Sequence, residues 1–197
     1  MSQAAQKTLA AAKKVLAQPI DFDKFLERLG PKDKVNVERH VTAMEAESDS
    51  AHAALWKRLA CTLATLAPHS VKLNGQHSAQ FYVQDGKYKM QVFAMEDLRD
   101  GKITLYCGDS SEVAKAAGLI SVGEEDKLQL NGDSAVTIEQ LDSRSPNPAP
   151  FFKDMLGWNR KALRITLPVT AKPSEIVAAE SLCALSASKW IVSQPAA

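Results

Sequence analysis

From Ala79 to Val92 apolar and polar residues alternate on both sides of Asp85-Gly86. Strict alternation is the mark of a strand with one buried face, and Asp-Gly between two such runs predicts a type I′ hairpin. A turn centred on those two residues sets Val83 against Tyr88, Phe81 against Met90 and Ala79 against Val92. One side of the ladder is then apolar, while Gln80, Tyr82, Gln84, Lys87, Lys89 and Gln91 line the other. A slip of one residue would turn the apolar set outward, so the pattern constrains the register.

Upstream the period changes to that of a helix. Residues 2–17 are rich in Ala, Gln, Lys and Leu and stop before Pro19, which predicts a helix with too few large apolar residues for a firm docking face. Its lysines Lys7, Lys13 and Lys14 also admit a basic arm; a frayed or loosely docked helix is the plainer reading. Asp21 is placed to cap a short helix over Phe22–Leu29, closed by Gly30-Pro31. From Lys32 to Ala67 there is neither Gly nor Pro, and the apolar residues from Val37 to Leu66 keep a three-and-four spacing. Ser48-Asp49-Ser50 is the weak point, and the pattern favours two helices over one.

Downstream, Lys102–Cys107 predicts a strand, Asp109 or Ser110 starts a short helix, and Gly118 ends it. Leu128/Leu130 and Val136/Ile138 alternate around Asn131-Gly132. A two-residue turn there would misface Val136 and Ile138, so a connection of three or five residues is expected. Ser143 to Pro150 holds three prolines and predicts a loop, with one turn of helix over Phe151–Leu156. Leu163–Leu167 gives a last strand. Pro173 opens a final helix with one apolar face from Ile176 to Trp190. Helices first, hairpin-linked strands next and a closing helix together predict an α+β fold. The expected sheet is antiparallel, of about five strands, with the C-terminal helix packed on it. Residues 1–70 form a helical region that either docks on the rest or stands apart, and residues 76–197 form the α+β domain.

Composition changes this picture little. Formal charge is +1, from 24 basic and 23 acidic residues, which argues against nucleic acid as a partner. The three cysteines, Cys61, Cys107 and Cys183, are widely spaced and suit a reducing compartment, so a cytoplasmic protein is expected. No run is long and apolar enough to predict a membrane span.

The chemistry-bearing strings are few. At Cys107-Gly108-Asp109-Ser110-Ser111 a strand end meets a helix start, where backbone amides hold anions and lower a thiol's pKa. A nucleophile at Cys107, or a phosphate cradle at Ser110 and Ser111 with Arg160 or Arg164 as clamp, is the enzymatic reading. Its rival makes Cys107 a small inward hydrophobe beside Ile103 and Leu105. Phe151, Phe152 and Trp158 beside Arg160 form the densest aromatic and basic neighbourhood, in the residue types that interface hot spots use. Glu45, Asp49 and His52 would share a face of an unbroken helix, yet they read as ordinary helix surface. Tyr82, Phe93 and Tyr106 are expected on the less apolar face of the sheet with Lys87 and Lys89, where coverage by a helix is the favoured reading over a stacking platform for single-stranded nucleic acid. Ser186-Ala-Ser-Lys189 lacks the companion motifs of penicillin-binding enzymes, and no nucleotide-binding loop or GxSxG is present. No cofactor or metal is implied. The sequence therefore favours a non-enzymatic binding or adaptor protein with a protein partner, a second copy of itself included. A small enzyme acting on an anionic or acyl substrate at Cys107–Ser111 is the alternative.

Overall fold

The alternating segment lies near one end of an antiparallel sheet that is larger than expected. The structure, a computed structural model, describes residues 3–46, 50–73, 78–85, 87–97, 100–132, 134–142 and 161–188. Its strands are β1 (Ser70–Leu73), β2 (Ser78–Asp85), β3 (Tyr88–Asp97), β4 (Lys102–Gly108), β5 (Ile120–Val122), β6 (Leu128–Leu130), β7 (Thr137–Asp142) and β8 (Lys161–Pro168). They form one sheet in the order β1-β2-β3-β4-β8-β7-β6-β5. The fold is α+β, as the pattern predicts, but with eight strands among the described residues and not five. Six of the eight correspond to alternating runs named from the sequence, and the other two are β1 and β5, of four and three residues.

The β2–β3 hairpin departs from the expected pairing in two ways. Asp85 pairs with Tyr88, so it belongs to the ladder and not to the turn, and Val83 meets Met90 in place of Tyr88. That shift is of two residues, which keeps every side chain on its face. A bulge then intervenes: Tyr82 pairs with Gln91 and Phe81 with Phe93, leaving Val92 as the extra residue. Beyond the bulge the parity of β3 reverses. Phe93, expected on the polar face, is fully buried opposite Phe81, and Met95 follows it inward opposite Ala79.

The helices lie on the apolar face. They are α1 (Gln3–Leu16), α2 (Phe22–Glu27), α3 (Pro31–Ala46), α4 (Ser50–Leu66), α5 (Ser111–Ala116) and α6 (Pro173–Ser186). Asp21 caps α2 by accepting the Lys24 N–H at 2.8 Å, and the long helical stretch is divided in two. Leu128 pairs with Ile138, and β6 and β7 are separated by residues 131–136, so the connection is longer than a two-residue turn, as the alternation requires, and one residue longer than the five expected. The closing helix α6 buries more than one face, from Ala179 to Leu185 without a break. It lies on β4 and is covered in turn by α1, α4 and α5, with its buried Glu180 answered by Arg58 and Thr62. Its neighbour α1 is better docked than its composition suggests, because Ala5 and Ala12 let it approach closely and are themselves buried. One continuous core runs from Phe25, Trp56 and Leu59 in the helices to Phe81, Phe93, Leu105 and Ile165 in the sheet. Among the described residues no helix is long and apolar enough to cross a membrane.

Candidate functional site

The other face of the sheet is polar, and its strand pairing divides it into two parts. Residues directly opposite one another on neighbouring strands share a face, with Cβ atoms about 5 Å apart. At the β4–β8–β7 end, Glu96, Tyr106, Arg164 and Glu139 form a chain across four strands. The Tyr106 hydroxyl donates to Glu96 Oε2 at 3.0 Å, and Arg164 donates to Glu139. Burial, reinforced by the Glu96 carboxylate, pushes the Tyr106 phenol far above its ordinary value. This half of the face satisfies its own charges. Arg164, a candidate anion clamp by sequence, is engaged by Glu139.

The β1–β2–β3 end is different. There Ser70, Tyr82 and Gln91 stand in one row, Lys72 lies opposite Gln80, and Lys89 lies opposite Gln84. Tyr82 donates its hydroxyl to Gln80 Oε1 at 2.8 Å, which fixes the ring. The Lys89 ammonium lies 4.5 Å from the ring centroid and that of Lys72 lies 6.0 Å from it, both within cation–π range. Burial, followed by the charge of Lys72, lowers the pKa of Lys89. Among the described residues no carboxylate pairs with either lysine. In the same row, both amide atoms of Gln91 and the hydroxyl of Ser70 are buried with no hydrogen-bond partner among the described residues. Gln91 is only 4% exposed. Each such orphan costs about 1–3 kcal/mol, and native proteins tolerate few of them without a reason. Two mutually repelling cations over one aromatic ring favour an anion beside them.

The strand-to-helix junction offers less. Cys107 is fully enclosed between the sheet and α6, as are its neighbours Ile103 and Leu105, so the thiol has no route to solvent. The hydrogen bond with the Cys107 thiol, and after it burial, push the Cys183 pKa well above its ordinary value. Ser110 is buried and donates to the Leu182 carbonyl at 3.1 Å. The Ser111 N–H donates to Asp109 Oδ1 at 3.0 Å, so a carboxylate of the chain itself already sits where an anion would. Gln140 reaches the same carboxylate at 2.7 Å and the Ser111 hydroxyl at 3.3 Å. Gln140 also borders an open groove of about 580 Å³ shared by Lys115, Val122, Lys127 and Ile138. Phe151, Phe152, Trp158 and Arg160 lie outside the described residues, as does the predicted turn of helix over 151–156.

A second buried cluster joins helices to sheet. His40 Nε2 is hydrogen-bonded at 2.8 Å to Asp97 Oδ2, and His52 Nε2 lies 3.0 Å from Oδ1 of the same carboxylate. Asp97 is inaccessible, and Trp56 packs edge-on against the His40 ring at 5.7 Å. His52 thus belongs with His40 and not with Glu45, which pairs with Lys57 on the surface. Among the described residues no group of His, Cys, Asp and Glu has the geometry of a metal site.

The sequence reading missed the Lys72–Tyr82–Lys89 site as a unit. The one available signal was the alternation Ser70-Val71-Lys72-Leu73, which continues the hairpin's pattern on a third strand. The Asp97 cluster left no sequence signal, because its members come from separate elements. No family model, curated protein or solved structure matches the chain.

Proposed function

We propose that this protein is a non-enzymatic binding or adaptor protein that holds an anionic protein partner on the Lys72–Tyr82–Lys89 end of its sheet. The observation that carries the proposal is the pair of lysines at that end, which crowd one ring with no carboxylate beside them among the described residues. The Ser70 hydroxyl and the Gln91 amide are enclosed next to them. Elsewhere on the same face charge meets charge, from Glu96 to Glu139. The enzymatic alternative draws little support from Cys107, which is enclosed, or from Ser111, whose amide is taken by Asp109.

The test is a photo-activatable cross-linker at position 84, exposed and opposite Lys89, compared with one at Val35, an exposed residue on α3. Both are introduced in the protein's own host, and both leave Lys72 and Lys89 in place. A defined protein adduct formed from position 84, absent from position 35 and lost in Lys89→Glu, is the expected result. Identical adducts from both positions, or none from position 84, would reject the proposal.

A further inference from the structure

We infer that the partner presents an extended acidic segment, which lies alongside β1 as an added strand. This rests on the reading of the lysine-bearing face as a binding surface. β1 is the terminal strand of the sheet, and among the described residues it pairs only with β2. A terminal strand offers a row of backbone N–H and C=O groups, which an incoming extended chain satisfies; pockets for alternate side chains then supply specificity.

The side chains of β1 state what that chain should carry. Ser70 and Lys72 point to the polar face, in line with Tyr82, Gln91 and Gln80. Val71 is buried on the opposite face, and Leu73 is half-buried there. A strand laid beside β1 places alternate residues next to Ser70 and Lys72, and the intervening ones next to Val71 and Leu73. Acidic residues on its polar side meet the Lys72 charge, with Lys89 behind it. Apolar residues between them extend the covered face. The preferred ligand is therefore a short alternating run of acidic and apolar residues.

The same charges argue against a second copy of this chain as the occupant. Two β1 strands paired about a two-fold axis would bring the two Lys72 ammoniums onto one face, and like charges on paired strands are destabilising.

The experiment uses the intact protein and a fluorescent peptide of sequence Ser-Glu-Val-Glu-Val-Glu-Gly, with Ser-Lys-Val-Lys-Val-Lys-Gly as comparator. Binding is read by anisotropy, and the amide hydrogen exchange of residues 70–73 is followed in parallel. The acidic peptide should bind, should slow exchange across β1, and should lose about tenfold in affinity in Lys72→Gln/Lys89→Gln, the scale expected of two exposed ion pairs. Binding that leaves β1 exchange unchanged overturns the added strand while the binding function stands. The same holds if inorganic phosphate displaces the peptide at equal concentration, since that marks a general anion effect. Equal binding of both peptides, or of neither, overturns the acidic segment. An adduct from position 84 in the host would then preserve the wider function, and its absence would remove both.

Discussion

Gln91 shows what a single buried amide can cost. It stands opposite Tyr82 at the bulge, 4% exposed, with both amide atoms buried and unanswered among the described residues. Replacing a buried polar group that has no partner by an apolar one of similar size removes a desolvation cost and breaks no bond. Gln91→Leu should therefore stabilise the protein by about 1 kcal/mol, read as a raised urea midpoint. A fall in the midpoint would show that the amide is satisfied in the folded chain. Asp97 is the opposite case, because its inaccessible carboxylate answers His40 and lies against His52. Asp97→Ala should cost about 3 kcal/mol, since it strands buried ring nitrogens and empties volume at the helix–sheet junction. The pairing of His40 with Asp97 spans 57 residues of sequence, so periodicity, which is local, holds no trace of it.

Two contacts at the scale of elements secure α6. Its first turn is closed by Glu175, whose carboxylate accepts the Lys172 N–H at 2.6 Å and the Ala135 N–H at 3.0 Å. The Lys172 amide is the main cause holding the Glu175 pKa below its ordinary 4.5, with the Ser134 hydroxyl next. A carboxyl depressed in the folded state stabilises the fold above its unfolded pKa and loses that contribution as pH falls through the folded one. Glu175→Gln should therefore unfold at lower urea than the parent at pH 7, and the gap should close progressively below about pH 4.5. Equal midpoints at pH 7 would deny the cap its role. Along the helix, Glu180 accepts from Arg58 Nε at 3.0 Å, from Arg58 Nη2 at 2.7 Å and from the Thr62 hydroxyl at 2.9 Å, joining α6 to α4. Arg58 is 40% exposed and Glu180 only 6%. Arg58→Ala should cost about 1 kcal/mol, mostly through the buried carboxylate left behind and reduced by solvent screening on the arginine side. The order and type of the longer elements were legible in the chain, from the Asp21 cap to Pro173 at the start of α6. The bulge at Val92 was not. An alternating string reads the same whether or not the ladder skips a residue, and the packing of Phe93 against the helices decides which occurs.

At the scale of the whole molecule, one core joins the helical N-terminal region to the sheet. Phe25, Val41, Trp56 and Leu63 share it with Val71, Met95 and Leu167. Urea unfolding should therefore give one midpoint for far-ultraviolet dichroism and for amide exchange within α4 and β4. Separate midpoints would mean that the helical region unfolds independently. What the sequence determined by itself is the α+β class, the Asp21 cap, and the two faces of the hairpin as far as the bulge. Each of these follows from spacing and capping within a few residues. Only the tertiary structure decided that Cys107 is enclosed by α6, that Asp109 occupies the α5 terminus, and that His40 and His52 meet at Asp97. It alone set Ser70, Lys72, Tyr82, Lys89 and Gln91 together on one open end of the sheet. Those outcomes depend on strand order and on which surfaces cover one another, and strand order is fixed by the packing of the complete core.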